Sequence, residues 1–112
     1  MKKKASEELI KWLREEIEKL MPAGLGSLSL RRSPCTYPGC QVCETGEGHA
    51  SYVLYVRMGK RRRAVYVPDE LAGDVREMVR NGRKIEELLK EFAIKYTEAL
   101  RDERKNRNRK GR

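Results

Sequence analysis

Apolar and polar positions alternate along this chain with two different periods. Between about Ser6 and Met21, apolar residues recur every three or four positions among mixed charges, which predicts an amphipathic helix. Pro22 and Gly24 follow this segment and are typical helix-ending residues. The apolar stripe of the predicted helix consists of Leu9, Leu13, Ile17 and Leu20.

A period of two residues takes over in the next part of the chain. Ser27 to Arg32 alternates apolar and polar residues and predicts a short strand. Residues 51–57 and 63–67 are rich in Val and Tyr, which suit strands, and Gly59 lies in the turn between them. These two runs predict a β-hairpin.

From Pro68 onward the pattern returns to helical spacing. Pro68 suits the first helical position, and the acidic Asp69 and Glu70 follow it where the helix dipole favours negative charge. Apolar residues then alternate in steps of four and three straight through Asn81 and Gly82, although Asn-Gly commonly ends a helix. We therefore favour one continuous helix over residues 68–104 rather than a two-helix hairpin.

A helix of that length would extend about 55 Å, at about 1.5 Å per residue. A chain of 112 residues cannot cover such an apolar stripe alone, so we expect it to pack on the N-terminal helix, on a second copy of the chain, or on both. A homodimer is the predicted state. The predicted dimerisation residues are Val75, Met78, Ile85, Leu89, Phe92 and Tyr96.

All three cysteines and the only histidine lie within the fifteen residues 35–49. A structural Zn²⁺ takes four nitrogen or sulfur ligands, and a separation of two residues, as between Cys40 and Cys43, suits a ligand pair. A set of four leaves no position for a catalytic water, so the predicted zinc is structural. The alternatives are one disulfide with a spare thiol, or small buried apolar residues. The predicted ligands are Cys35, Cys40, Cys43 and His49.

The predicted fold class is α+β, with the N-terminal helix, a small zinc-stabilised antiparallel sheet of two or three strands, and a long coiled-coil-like C-terminal helix. We expect a single domain over residues 1–104: a helix at 6–21, the zinc loop and hairpin at 27–67, and a helix at 68–104. Residues 105–112 are predicted to be a disordered basic tail. With 38% hydrophobic and 38% charged residues, the core should be thin.

The net charge of +9 favours polyanionic partners, and the positive charge is concentrated. Arginines on a protruding hairpin suit phosphate recognition, although a charged edge also discourages aggregation. The basic C-terminal segment could bind phosphates or could serve solubility. The predicted nucleic-acid-binding residues are Arg57, Lys60, Arg61, Arg62 and Arg63 at the hairpin tip, with Arg104, Lys105, Arg107, Arg109, Lys110 and Arg112 at the C-terminus.

Three functions fit these features, and we favour the first, with DNA as the partner in preference to RNA. The first is a non-enzymatic zinc protein that binds duplex DNA, such as a regulator or accessory protein of a mobile element or virus. The second binds RNA or single strands, with Tyr52, Tyr55 or Tyr66 stacking on bases. The third is a protein-interaction adaptor or assembly subunit that dimerises through the long helix. Competition between duplex and single strands, and pull-downs with nuclease treatment, would separate them.

Other function classes find less support. No acid-base or nucleophilic constellation is present once His49 is assigned to zinc, so we expect neither an enzyme nor a small-molecule substrate. Trp12 is expected to be a packing residue rather than a membrane anchor, because acids share the polar helix face. Without a secretory signal or a transmembrane segment, and with zinc-type cysteines, the expected location is the cytoplasm. The high Lys, Arg and Glu content hints at a hot environment.

The motifs together resemble a known family. Gly26-Ser-Leu28, Cys35-x-x-Pro38-Gly39-Cys40-x-x-Cys43, Gly46-Glu-Gly-His49, Tyr52-x-Leu-Tyr55, Gly59-Lys60 and Val65-Tyr-Val-Pro68 stand before a charged helix. This arrangement, over about residues 26–100, resembles a group of small uncharacterised bacterial and archaeal proteins classed as a domain of unknown function. The resemblance implies a zinc-stabilised hairpin and a long helix, and it implies no activity.

Overall fold

The computed structural model describes residues 2–33 and 49–110. The fold is α+β, as predicted, with one helix before and one long helix after an antiparallel three-stranded sheet in chain order. The elements are α1 (Lys2–Lys19), β1 (Ser27–Ser33), β2 (His49–Met58), β3 (Arg61–Val67), a 3-10 turn (Asp69–Leu71) and α2 (Ala72–Lys110).

The sheet has the order β1-β2-β3, so the ten-residue β2 is its central strand. Ser27 pairs with Tyr55 at one end of the β1–β2 ladder, and Ser33 pairs with His49 at the other. The hairpin between β2 and β3 closes with the pair Met58 and Arg61. The predicted hairpin is therefore confirmed, with strands longer than the sequence pattern indicated and a turn of two residues.

Spatial clustering divides the chain into two units, Pro22–Arg80 and a second formed by Met1–Met21 with Asn81–Arg112. Among the described residues, only three apolar side chains are more than nine-tenths buried: Val67, Ala72 and Val79. All three belong to the first unit. The core is as thin as the composition predicts.

The segment before β1 is fixed to the start of α2. The backbone N–H of Gly24 donates a hydrogen bond to the carbonyl of Met78, 3.1 Å away. A side chain at Gly24 would bring its Cβ within 3.1 Å of the Met78 sulfur, so glycine allows this close approach. The connection between α1 and β1 thereby becomes part of the first unit.

In the second unit, α1 packs antiparallel to residues 84–102 of α2: Ala5 lies on the side of Asp102, and Lys19 lies on the side of Lys84. The ammonium of Lys95 lies 4.7 Å from the centre of the half-buried Trp12 ring, in agreement with a packing role for Trp12. The helices also carry ion pairs along their own surfaces, including Lys19 with Glu16 at 2.9 Å and Lys95 with Glu91 at 3.0 Å. The hydrogen bond to Glu16 raises the pKa of Lys19.

The helix α2 runs through Asn81 and Gly82 without interruption, which confirms the continuous helix. Its boundaries differ from the prediction at both ends: Pro68 precedes a 3-10 turn, and the helix continues to Lys110 rather than ending near residue 104. The segment predicted to be a disordered tail is thus helical up to Lys110. An existing helix can be extended by Arg and Lys without a new nucleation step, even where nothing is buried.

Candidate nucleic-acid interface

Strand alternation and the register of the sheet sort its side chains onto two faces. One face packs toward α2, because the Arg76 guanidinium lies 5.8 Å from the ring centre of Tyr52 and Val67 is buried. We call the other the Tyr55 face, after its central aromatic residue. The Tyr55 face consists of Ser27, Ser29, Arg31, Ser51, Val53, Tyr55, Arg57, Arg62, Ala64 and Tyr66.

Tyr55 contacts one arginine from each of the two outer strands. The Nη1 of Arg31, on β1, donates a hydrogen bond to the Tyr55 hydroxyl at 2.9 Å. The guanidinium of Arg62, on β3, lies 4.5 Å from the centre of the Tyr55 ring. A cation over an aromatic ring contributes about 0.5–1 kcal/mol at exposed sites. The two guanidinium groups are therefore positioned before any ligand arrives.

The hairpin-tip residues predicted from sequence are divided between the two faces. Arg57 and Arg62 lie directly opposite each other on the Tyr55 face. Arg61 and Arg63 alternate onto the face toward α2, and Lys60 lies in the turn. All five are exposed. Like charges directly opposite in a sheet destabilise it, so the Arg57–Arg62 pair weakens the ladder at this position.

The charge of the sheet is not balanced within the sheet. The three strands contain six arginines and no acidic residue. On the helices, by contrast, several lysines pair with glutamates one turn away. The positive charge of the strands is therefore uncompensated within the sheet, as it is in the last turns of α2 from Arg104 onward, and phosphate groups would find open guanidinium donors on the strands.

Sequence reasoning missed Arg31 as a candidate binding residue. It lies on β1, outside the hairpin tip, and reaches the site only because β1 pairs with β2 in a register that places it on the Tyr55 face. Its signal in the sequence was the alternation in Leu28-Ser-Leu-Arg-Arg32, which assigns Arg31 to the same face as Ser27 and Ser29.

The three strand tyrosines occupy different environments. Tyr52 faces α2 beneath Arg76, and Tyr55 is half-buried between its two arginines. Tyr66, on the edge strand β3, is 66% exposed. Only Tyr66 thus presents most of its ring to solvent.

The C-terminal basic residues belong to the second unit. Arg104 and Lys105 are exposed, and the backbone of Arg107, Arg109 and Lys110 is helical. Arg112 lies outside the described residues. This cluster forms the last turns of α2, separate in sequence from the hairpin.

The six predicted dimerisation residues are not equally accessible. Leu89 is 49% exposed, whereas Val75, Met78, Ile85, Phe92 and Tyr96 are half-buried within the single chain. Leu100, on the same side of α2 as Leu89, is 44% exposed. Leu89 is therefore the one open residue of the predicted set, and Leu100, which the prediction did not include, is exposed on the same side of the helix.

The predicted metal ligands Cys35, Cys40 and Cys43 lie outside the described residues. Across residues 2–33 and 49–110, no cluster of three His, Cys, Asp or Glu residues could hold a metal ion. The remaining predicted ligand, His49, is the first residue of β2 and is paired with Ser33. In the same part of the chain, no helix is long and apolar enough to span a bilayer.

A family model described as a domain of unknown function (DUF6788) matches residues 4–77, which is more than half of the chain. The chain belongs to the DUF6788 family. The part shared with DUF6788 contains the whole Tyr55 face and both strands of the hairpin, whereas α2 beyond residue 77 lies outside it. Neither the curated proteins nor the solved structures yielded a match to this chain.

Proposed function

We propose that this protein is a non-enzymatic nucleic-acid-binding protein whose sheet contacts the phosphate backbone. The observation that carries the proposal is the arrangement of Arg31 and Arg62 around Tyr55, with Arg57 beside them. Planar guanidinium groups bind phosphate oxygens in a bidentate manner. A net charge of +9 supplies the long-range attraction that brings a polyanion to this surface.

The accumulation of arginines is costly for the sheet alone, which favours a ligand over a purely structural role. Edge strands need only one or two charged residues to resist aggregation. Here Arg57 and Arg62 repel each other across the ladder, and no carboxylate on the strands relieves them. A bound phosphate between two such groups would convert their repulsion into attraction.

The test is the fluorescence anisotropy of labelled oligonucleotides, duplex and single-stranded, titrated with the full chain between about 50 and 200 mM salt. The variant Arg31→Ala, Arg57→Ala, Arg62→Ala, which removes the three arginines of the Tyr55 face, should bind more weakly and should depend less on salt, by about two or three in the logarithmic slope.

A control variant with the same loss of charge is available on α2. It carries the substitutions Arg83→Ala, Lys84→Ala and Lys90→Ala, on a helix where acids accompany the basic residues. The proposal requires that this control bind nearly as well as the wild type. Equal losses in both variants would mean that binding follows total charge, and absence of binding by the wild type would overturn the proposal.

We also propose that Zn²⁺ stabilises the fold through Cys35, Cys40, Cys43 and His49. Pairing of Ser33 with His49 holds the two ends of the intervening segment on neighbouring strands, which lowers the entropy that a metal site there would cost. Three thiolates and an imidazole suit zinc. Such sites contribute on the order of 10 kcal/mol.

Elemental analysis of the purified chain should find one zinc ion per chain, and a chelator should lower its melting temperature. Cys40→Ser should have the effect of the chelator. Metal-free protein with freely titratable native thiols and an unchanged melting temperature would contradict the zinc proposal, and nucleic-acid binding would then stand or fall by its own test.

A second function, assembly through α2, is favoured by the exposure of Leu89 and Leu100. In the second unit, no apolar side chain of the described residues is more than nine-tenths buried. Leu89, Ala93, Tyr96 and Leu100 follow one another in steps of four and three, the spacing of a helix-pairing seam. A second copy of the chain could cover this seam.

Size-exclusion chromatography with light scattering should therefore give the molar mass of a dimer. Leu89→Glu or Leu100→Glu should reduce the measured mass to that of a monomer. Ile94 is the matched control, since it is 62% exposed but lies on another side of α2. Ile94→Glu should leave the dimer intact. A monomeric wild type would exclude dimerisation through this seam.

A further inference from the structure

We infer that the Tyr55 face binds single-stranded nucleic acid and that Tyr66 stacks on an unpaired base. The inference rests on the proposed function and specifies its ligand. It differs from the preference for duplex DNA that the arginine-rich hairpin alone suggests.

Tyr66 supplies an open aromatic surface. Its side chain is 66% exposed although it belongs to a strand, where tyrosines usually cover a core. The base faces in a duplex are already stacked on their neighbours, whereas those of a single strand are free to stack on a protein ring. An exposed tyrosine among phosphate-binding groups therefore favours a single strand.

Tyr55 and Arg62 provide a second surface close to the first. Tyr66 pairs with Val53, and Tyr55 is two residues further along β2, so the two tyrosines are diagonal neighbours about 7–8 Å apart, within reach of aromatic side chains. The Arg62 guanidinium already lies over the Tyr55 ring and can stack on a base with its outer side. Two adjacent bases could thus be bound, one at each tyrosine.

The rest of the face allows a strand to approach. The same face carries three serines, Ser27, Ser29 and Ser51. Their side chains are too short to block a ligand sterically, and their hydroxyl groups can form hydrogen bonds to phosphates or base edges. Arg31 and Arg57 are exposed toward opposite ends of the face, beyond the aromatic centre. The arrangement combines stacking groups with flanking cations, as non-specific single-strand binding requires.

The decisive experiment compares Tyr66→Ala and Tyr66→Phe with the wild-type full chain, using a labelled single strand and a duplex of the same sequence. Loss of the ring should weaken single-strand binding about tenfold, and Phe should restore it because stacking needs no hydroxyl. Duplex binding should change by less than about twofold, since Tyr66 makes no phosphate contact in this account.

The outcomes distinguish this inference from the function on which it rests. If the wild type binds both ligands and Tyr66→Ala leaves single-strand binding unchanged, the inference is overturned while nucleic-acid binding stands. If the wild type binds neither ligand, both fail. Equal weakening on duplex and single strand would also overturn the stacking role.

A second measurement avoids substitutions. Ultraviolet cross-linking of the wild-type chain to a bromouridine-substituted single strand should attach the oligonucleotide to the β3 peptide that contains Tyr66, or to the β2 peptide that contains Tyr55. Cross-links confined to α1 or α2 would contradict the inference. Thermal melting followed by circular dichroism should confirm that both Tyr66 variants fold, as expected for an exposed position.

Discussion

At the scale of single residues, Gly59 shows how backbone geometry limits the sequence of the hairpin. It has a φ of +64°, and no other described residue has a positive φ. A two-residue hairpin turn with positive φ at its first position only is of type II′, in which glycine is strongly preferred. A side chain at this position would have room, because nothing lies within 4 Å of the place that a Cβ would occupy. The turn therefore requires glycine for its backbone conformation alone.

Gly59→Ala should therefore lower the free energy of unfolding by about 1–3 kcal/mol, the cost of holding an L-residue in a sparsely populated backbone region with positive φ. Gly73 is the control, since it also has open space around a Cβ but lies at the start of α2 without a positive φ. Gly73→Ala should raise the free energy of unfolding by about 0.4–1 kcal/mol. Urea titrations would measure both, and equal effects would refute the backbone explanation.

Substitution in the Arg57–Arg62 pair should increase the stability of the fold and decrease its affinity for nucleic acid. Arg57→Thr should raise the free energy of unfolding by about 0.5 kcal/mol, since it removes a like-charge pair and introduces a good strand residue. The same variant should bind nucleic acid more weakly. Arg61→Thr is the control, because Arg61 pairs with Met58 and relieves no repulsion. If Arg57→Thr bound as tightly as the wild type, this pair would have no part in the site.

At the scale of elements, the edge strand β3 contains both a core residue and an exposed one of the same kind. Val67 is 4% exposed and Val65 is 46% exposed, and the two lie on the same face of the strand. Truncation of a buried side chain removes apolar burial and leaves a cavity, whereas truncation of a half-exposed one leaves neither in full.

Val67→Ala should accordingly lower the free energy of unfolding by about 2 kcal/mol, and Val65→Ala by less than about 1 kcal/mol. Thermal and urea denaturation would give both values. A larger cost at Val65 than at Val67 would mean that the core is not where the structure places it.

The extent of α2 was predictable from the sequence only in part. The apolar spacing through Asn81 and Gly82 correctly predicted a continuous helix, because the pattern reports which face is covered and outweighs a local helix-ending signal. The continuation of the helix from residue 104 to Lys110 could not be predicted from that pattern, because the sequence beyond residue 104 has no apolar residue to extend the spacing.

The binding face was only partly predictable for a similar reason. The arginines at the hairpin tip are adjacent in sequence, so their clustering is visible without a structure. Arg31 joins them only through the β1–β2 register, and the exposure of Tyr66 depends on its position in an edge strand. Pairing between strands distant in sequence carries information that local patterns do not contain.

At the scale of the whole molecule, the charge distribution separates two kinds of surface. Up to Glu103, the helices carry basic and acidic residues together and form ion pairs, which suits solvent exposure and helix packing. The last turns of α2, from Arg104 to Lys110, are basic without an acid. The strands carry arginine without acid, and they lie within the part of the chain that matches the DUF6788 family. Binding of a polyanion should therefore be concentrated on the sheet, with the basic end of α2 as an additional contact, rather than spread over both helices.

The most direct test of this account is a titration of the isotope-labelled 13.0 kDa chain with a short single strand, followed by amide chemical shifts in NMR spectra. The largest shifts are expected in β1, β2 and β3, around Arg31, Tyr55, Arg62 and Tyr66. Shifts confined to α1 and α2, or their absence at saturating oligonucleotide, would contradict it.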